Sequence, residues 1–113
     1  MKKTKQQEPE ITVPEPPEHL SERSRELWIT LAPTEARSLE RRTLFLSALE
    51  ALDTADAARH IVQAEGLTST TASTGVVHLN PAVKVEREAR AQFVRIWDML
   101  GLRHNSRIDR STW

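Results

Sequence analysis

Clusters of positively charged side chains are the residues of this chain whose type and spacing suit a chemical task, the binding of phosphate. The clusters are Lys2, Lys3 and Lys5; Arg37, Arg41 and Arg42; and Arg103, Arg107 and Arg110. Arginine is the majority type among the basic residues, and its planar guanidinium matches phosphate and carboxylate geometry. We interpret the three clusters as candidate DNA contacts, with an ordinary solvated surface as the alternative.

The middle cluster surrounds the predicted start of a long helix. A helix N-terminus offers free amides and a partial positive charge, which suits a phosphate, and Arg37, Arg41 and Arg42 add to that charge. Glu35 and Glu40 partly neutralise it. The pattern therefore indicates a local anion site of moderate strength at this position.

The formal charge of the whole chain does not single out a nucleic-acid binder. Sixteen basic and sixteen acidic residues cancel, so no whole-molecule positive field exists and any DNA binding must come from local clusters. The same neutrality favours a second class of function, a helical adaptor that binds proteins and contacts no nucleic acid. Both hypotheses stay open on composition alone.

The patterns that accompany catalysis or metal binding are missing from the sequence. Its histidines are isolated, and it contains no cysteine, which excludes a disulfide framework and cysteine-ligated zinc. Serine and threonine lie in predicted caps or a connector, without the turn of a nucleophile elbow. The glycines are accounted for by helix ends and a turn: Gly66, Gly75 and Gly101. We therefore expect no enzyme, no cofactor and no bound metal.

The two ends of the chain differ in composition from its middle. Residues 1–18 hold four prolines and little apolar surface, which predicts a disordered or extended arm that does not join a core. Residues 103–113 predict a basic flexible tail, and residues 19–102 a helical domain. No run approaches the ~20 apolar residues of a bilayer span, and no signal peptide is apparent, so we expect a soluble cytoplasmic protein without membrane contact.

Three helices are predicted within that domain. Ser21 caps a first helix over about 22–32, which Pro33 should end because its ring disfavours helical geometry at the preceding residue. Ser38 caps a second helix running from Leu39 to Glu65, with Gly66 in the left-handed position after it. We expect this long helix to be the backbone of the fold.

The third helix follows a connector rich in threonine and serine. The β-branched residues on both sides of 72–75 predict either a small β-hairpin or a flexible loop. Asn80 and Pro81 are a cap and a first-turn proline, so the third helix should run to about Leu100 and stop at Gly101. A short connector implies that the second and third helices lie antiparallel.

Apolar periodicity predicts which faces are buried. On the first helix these residues are Leu20, Leu27, Trp28 and Leu31. On the second helix they are Phe45, Ala48, Leu49, Leu52, Ala55, Arg59 and Val62, with Leu44, Leu46 and Ile61 widening the stripe toward a second contact. On the third helix they are Val85, Ala89, Phe93, Ile96, Trp97 and Leu100.

We assign a combined core and oligomerisation role to the largest of these side chains. They are Trp28, Phe45, Leu49, Leu52, Phe93 and Trp97. A folded part this small buries limited apolar surface, and partners often supply the rest. The fold class is thus all-α or mainly α: a short helix, a long antiparallel helical hairpin and a possible small β-hairpin, assembling as an oligomer.

Several short motifs occur in an order that resembles a known family. They are Pro16-Pro17 before Leu20-Ser21 and Trp28, the helix ending Glu65-Gly66-Leu67, the connector through His78 to Pro81, and Leu100-Gly101-Leu102 before Ser106-Arg107. This order resembles the small terminase subunits of tailed bacteriophages over residues 14–110.

The resemblance implies a non-enzymatic DNA-packaging component. Small terminases assemble into rings, bind double-stranded viral DNA where packaging starts, and present it to the large terminase subunit, which carries the ATPase and nuclease. By this resemblance we expect a homo-oligomeric ring in the host cell cytoplasm, with viral DNA and the large subunit as partners.

Overall fold

The polypeptide forms three helices and a two-stranded sheet. The computed structural model describes residues 13–102. Its elements in chain order are α1 (Glu22–Glu35), α2 (Leu39–Glu65), β1 (Thr68–Thr70), β2 (Val77–Leu79) and α3 (Pro81–Met99). The predicted mainly helical class is confirmed, and of the two alternatives for the connector the hairpin is the one observed.

Helix α1 extends one turn beyond the predicted end. Pro33 lies inside the helix instead of terminating it, so this prediction was wrong. The final turn closes through the Ala36 amide, which donates to the Ala32 carbonyl at 3.0 Å. Both alanines are fully buried, and we attribute the continued helix to this packing, which outweighs the unfavourable geometry before proline.

Helix α2 has the predicted bounds. The Ser38 hydroxyl accepts from the Arg41 amide at its start, and the Gly66 amide donates to the Val62 carbonyl at its end. Gly66 has the expected positive φ of 93°, but its ψ of 170° is extended, so it is not in the left-handed helical conformation that we predicted.

The hairpin pairs Thr68 with Leu79 and Thr70 with Val77 in antiparallel register. Every residue of both strands is exposed. At its base Asn80 joins three elements: its side-chain amide donates to the Gly66 carbonyl, its own amide donates to the Leu67 carbonyl, and its side-chain oxygen accepts from the Ala82 amide. One buried residue therefore fixes the end of α2, the hairpin and the start of α3.

Helices α2 and α3 lie antiparallel, as predicted. Arg41 near the start of α2 reaches the Leu100 carbonyl, while Arg59 near the end of α2 lies 3.5 Å from Glu86 near the start of α3. Helix α1 packs on α2 from Phe45 to Asp56. Phe45 connects the three helices, because its ring lies 5.8 Å from that of Trp28 and 6.0 Å from that of Trp97.

The buried stripes follow the predictions with two shifts. On α2 the buried residues include Ala58, whereas Arg59 is exposed, so its assignment to the buried stripe was wrong. On α3 Val85 is 44 % exposed, because the α2 residues facing it are small and leave a gap. Val13 and Leu102 pack against the main core, so the expectation that the whole arm stays outside the core is also wrong.

Candidate nucleic-acid interface

The predicted middle cluster lies where α1 ends and α2 begins. Ser38 caps α2 there, and its hydroxyl accepts from the Arg41 amide at 3.1 Å. The C-terminal end of α3 reaches the same place, because Arg41 contacts the carbonyl of Leu100. We call this end of the molecule, defined by Arg37, Arg41, Arg42 and Leu100, the basic end.

Arg41 has a structural task at the basic end. Its Nε donates to the Glu35 carbonyl at 2.5 Å and its Nη2 to the Leu100 carbonyl at 2.6 Å. These carbonyls belong to the last turn of α1 and the residue after α3, where helices leave acceptors without intrahelical partners. A single half-buried guanidinium therefore ties the ends of both helices to the start of α2.

Arg37 and Arg42 are the more available members of the cluster. Arg42 donates through Nη1 to the Arg37 carbonyl at 2.8 Å, which leaves its other nitrogens for a ligand. The Arg37 side chain is exposed, and within the described part of the chain it has no ion-pair or hydrogen-bond partner. The adjacent helix start adds its own positive potential.

The other two predicted clusters, Lys2, Lys3 and Lys5 and Arg103, Arg107 and Arg110, lie outside the described residues. The structure does fix where the chain leads toward them. Val13 and Leu102 pack against the same hydrophobic cluster, which includes Trp28, Phe45 and Leu100. Arg103 directly follows Leu102 in the sequence.

The arm that leads to Val13 is held on α1 by main-chain acceptors. The Trp28 indole Nε1 donates to the Pro14 carbonyl at 2.8 Å, and Arg25 donates to the Pro17 carbonyl at 3.2 Å. The Pro17 carbonyl also accepts from the Leu20 amide, at 3.3 Å. The arm and α1 together border an open pocket of about 470 Å³ beside Trp28.

The side chains assigned a core role by the sequence lie inside one copy of the chain. Phe45 and Leu49 are fully buried, and Trp28 and Leu52 nearly so. Phe93 and Trp97 are half-buried with their rings 4.9 Å apart. Their proposed share in oligomerisation stays a prediction.

The second apolar face predicted on α2 remains partly uncovered. Leu46 packs against the core, but Leu44 and Ile61 stay exposed at 36 % and 44 %. Ile61 and Val85 line an open groove of about 480 Å³ between the end of α2 and the start of α3. The hairpin beside this groove adds four exposed apolar residues: Leu67, Val76, Val77 and Leu79.

A cluster around Asp53 fixes the start of α1 on α2. The Asp53 carboxylate accepts from the Ser21 amide and hydroxyl, both at 2.7 Å, and from the Ser24 hydroxyl at 2.6 Å. Burial by itself raises the pKa of Asp53, but the hydrogen bonds from Ser24 and Ser21, with the positive charge of Arg23, lower that pKa below its usual 3.8. Asp53 is therefore charged throughout the physiological range.

Two of the three histidines between residues 13 and 102 have hydrogen-bond partners at the surface, and the third, His60, is exposed. His19 lies 2.7 Å from Glu50, and His78 lies 2.7 Å from the Thr71 hydroxyl. Across residues 13–102, no group of three or more histidine or carboxylate side chains is arranged to hold a metal ion. No helix in that range is long and apolar enough to cross a bilayer.

The sequence patterns described above do not include the cations of α3. Lys84, Arg87 and Arg95 are exposed on the side of α3 opposite its buried stripe. Their spacing of three, eight and eleven residues, which returns to one helical face, was the available signal. Among the residues that the structure describes, Arg87 and Arg95 have no ion-pair partner.

No family model matches this chain, and no curated protein or solved structure shows significant similarity to it. The functional argument therefore rests on the motifs in the sequence and on the geometry described above. That geometry offers two exposed resources: a basic end with the available guanidinium groups of Arg37 and Arg42, and charged and apolar surface on the outer faces of the helices.

Proposed function

We propose that this protein is a DNA-packaging component of the small terminase type. It binds double-stranded viral DNA where packaging starts, acts as a homo-oligomeric ring, and recruits the large terminase subunit, which supplies the ATPase and nuclease. It needs no cofactor for this role. The observation that supports the proposal is the exposed Arg37 and the partly free guanidinium of Arg42 beside the N-terminus of α2.

The position of Arg37 and Arg42 at one helix start supports DNA binding for a physical reason. Each phosphate contact by an exposed arginine is weak, but contacts held close together on one rigid end act on one stretch of backbone. A ring repeats the set in every copy, so the effective concentration of the second and later contacts is high. Arg37 and Arg42 are the members with free guanidinium nitrogens, and Arg41 positions them by holding the helix ends.

The first experiment compares DNA binding of the wild type with a variant that carries Arg37→Gln and Arg42→Gln. Arg41 is left intact because it supports the fold. The matched control carries Arg23→Gln and Arg59→Gln, which remove two exposed charges away from the basic end. Affinity for a duplex is measured from low to moderate salt.

We expect the wild-type affinity to fall steeply with salt, and the basic-end variant to bind more weakly with a shallower dependence. The logarithm of the binding constant falls by about 0.9 per phosphate contact for each unit of log salt, so two lost contacts reduce the slope by about 2. The control variant should keep the wild-type slope. Equal slopes for all three proteins would remove α2 from the interface.

A second pair of variants tests the two basic clusters that lie outside the described residues. Lys2, Lys3 and Lys5 are replaced by glutamine in one, and Arg103, Arg107 and Arg110 in the other. A loss of affinity in either variant that adds to the loss from Arg37 and Arg42 supports a common DNA surface, because independent contacts contribute additively to the free energy.

The alternative function is a helical adaptor that binds a large packaging enzyme without contacting DNA. The exact balance of basic and acidic residues favours it, since no long-range field attracts DNA. An affinity-tagged copy that captures a motor ATPase from nuclease-treated extract, while showing no duplex binding even at low salt, would select the adaptor over the DNA-binding component.

A further inference from the structure

The outer face of α1 carries acidic side chains, and no residue between 13 and 102 forms an ion pair with them. Trp28 and Ala32 mark the buried side of α1, and the opposite side presents Glu22, Glu26 and Ile29 along a single stripe. Ile29 is 61 % exposed. We call these three residues the acidic stripe.

The acidic stripe is unfavourable in an isolated copy. Glu22 and Glu26 are four residues apart, and like charges at this spacing destabilise a helix. In the range covered by the structure neither has a basic partner, and the neighbouring arm adds exposed Glu15 and Glu18. Arg25 lines the same pocket as Glu15 and Ile29, so the described part of this side carries more acidic than basic residues.

The outer face of α3 carries three cations, Lys84, Arg87 and Arg95, against two exposed acids, Glu88 and Asp98. Arg87 and Arg95 lie on the side away from buried Ile96, with Ala91 between them and Val94 beside them. Val94 is 57 % exposed. We call Arg87, Ala91, Val94 and Arg95 the basic stripe. Lys84 precedes it with a weak partner at 3.9 Å, and Asp98 follows it.

We propose that the acidic stripe of one copy binds the basic stripe of the next copy. Both stripes combine two charges with one large exposed aliphatic residue, so that Glu22 and Glu26 can pair with the two arginines while Ile29 packs near Val94. The charges complement each other between copies and not within one, because each stripe faces away from the core that joins α1 and α3 through Phe45.

Such a contact is head-to-tail. Each copy uses one stripe for each neighbour, so association continues until the rotation between copies closes a ring or leaves an open filament. The proposal rests on the proposed function in one respect, that the component acts as an oligomer, and it assigns the surface by which copies associate.

The observations favour a second copy over DNA as the occupant of the basic stripe. A phosphate backbone gains nothing from Val94 and offers nothing to the acidic stripe, which repels it. A second copy satisfies both stripes with one contact and covers Ile29 and Val94 at the same time.

The experiment uses charge reversal in the full chain, with mass measured by light scattering and native mass spectrometry. One variant carries Glu22→Lys and Glu26→Lys, the second carries Arg87→Glu and Arg95→Glu, and the third carries all four changes. The control, Glu40→Lys with Glu65→Lys, reverses two exposed acids on α2 outside both stripes. Circular dichroism establishes that each variant is folded.

We expect the wild type, the control and the fourfold variant to form the same oligomer. Each double variant sets like charges against each other. Its dissociation constant for the contact between copies should therefore rise about ten-fold or more. An equimolar mixture of the two double variants should associate again, because every contact between unlike copies then pairs opposite charges.

Three results would overturn the proposal. They are a wild type that stays at 12.9 kDa at tens of micromolar, double variants that keep the wild-type mass, and a mixture that does not associate. Loss of DNA binding without loss of mass in the arginine variant would assign the basic stripe to nucleic acid instead. If charge swapping restores the oligomer but no variant binds DNA, the interface stands and the proposed function fails.

Discussion

The antiparallel helices α2 and α3 bury their apolar residues to very different extents at the two ends of the pair. At the basic end three helices meet, and Trp28, Phe45 and Leu49 are almost completely buried. The opposite end of the pair, beside the β-hairpin, we call the hairpin end. There only α2 and α3 meet, through small residues such as Ala58 and Ala82, while Ile61 and Val85 remain 44 % exposed. Both ends are built from the same pair of helices, so the difference lies in α1, whose contacts with α2 run from Phe45 to Asp56 and stop short of Ile61.

Because of this difference in burial, the two ends of the α2–α3 pair have different roles. Large aromatic rings at the basic end need several neighbours to be buried, and α1 provides them. Alanines at the other end let α2 and α3 approach but bury little area, and every strand residue of the hairpin is exposed. The basic end therefore supplies most of the stability of an isolated copy, and the hairpin end supplies surface for contacts outside it.

The largest effect that would test this contrast is expected for Phe45→Ala. Removal of a fully buried ring between Trp28 and Trp97 should lower the free energy of unfolding by about 3 to 5 kcal/mol. Ile61→Ala at the hairpin end is the control, with an expected loss under about 1 kcal/mol. Urea unfolding at one fixed protein concentration measures both, and similar losses would contradict the division.

The next largest effect is expected for Asp53→Ala, which removes the acceptor of three hydrogen bonds that hold α1 on α2. Hydrogen bonds to a charged group contribute about 1.5 to 3 kcal/mol, so we expect a loss of about 2 kcal/mol. Glu50→Ala, which removes an exposed contact to His19 on the same side of α2, is the matched control and should cost much less.

Asp53 also predicts a dependence of stability on pH. Because its pKa is lower in the folded chain than in the unfolded chain, its contribution is fully present above the unfolded value of about 3.8 and is lost as the pH falls through the folded value. Unfolding of the wild type and Asp53→Asn between pH 6 and pH 2 should converge toward acid. A constant difference over this range would show that the charge of Asp53 does not matter.

A smaller effect is expected for Arg41→Gln. The variant loses two hydrogen bonds to the carbonyls of Glu35 and Leu100, so stability should fall by about 1 to 2 kcal/mol. Arg37→Gln is the control for charge, because its guanidinium is exposed, and should leave stability unchanged. If both variants unfold alike while DNA affinity falls in both, Arg41 acts through phosphate contact and not through positioning.

The smallest effect is expected at the hairpin. Val77→Thr and Leu79→Thr keep strand propensity and change side chains that are 63 % and 56 % exposed. In a dilute monomer the expected change in unfolding free energy is within about 0.5 kcal/mol. A larger loss that grows with protein concentration would show that these residues are covered in an oligomer, and would extend the interface to this end.

Helix bounds were the part of the fold that sequence reasoning predicted best. Ser38 and Gly66 around α2, and Asn80 with Pro81 at the start of α3, act over one or two residues, so local chemistry determines them. Pro33 was misjudged because its effect depends on Ala32 and Ala36, whose burial is a tertiary property. Arg59 was misjudged because the position of α3 moves the buried stripe to Ala58.

The candidate interface was predicted less completely than the fold. The cluster around Arg37, Arg41 and Arg42 was visible as composition near a helix start. The sequence did not show that Arg41 holds the helix ends while Arg37 and Arg42 remain available for a ligand. Arg41 is held by carbonyls from residues 35 and 100, and the second is far away in sequence. The stripe of Arg87 and Arg95 was overlooked because local sequence does not show which charged face of a helix stays exposed and without ion-pair partners.

The amino-acid sequence determined on its own where α1 begins, where α2 and α3 begin and end, and that the middle of the chain is mainly helical, since caps, glycines and periodicity act within a few residues. Tertiary structure alone decided that α1 continues past Pro33 and contacts α2 as far as Asp56, that both ends of the described chain meet the same core, and which arginines remain available. The physical reason is that burial and hydrogen bonding depend on neighbours brought together from distant parts of the chain, and local patterns do not contain those neighbours.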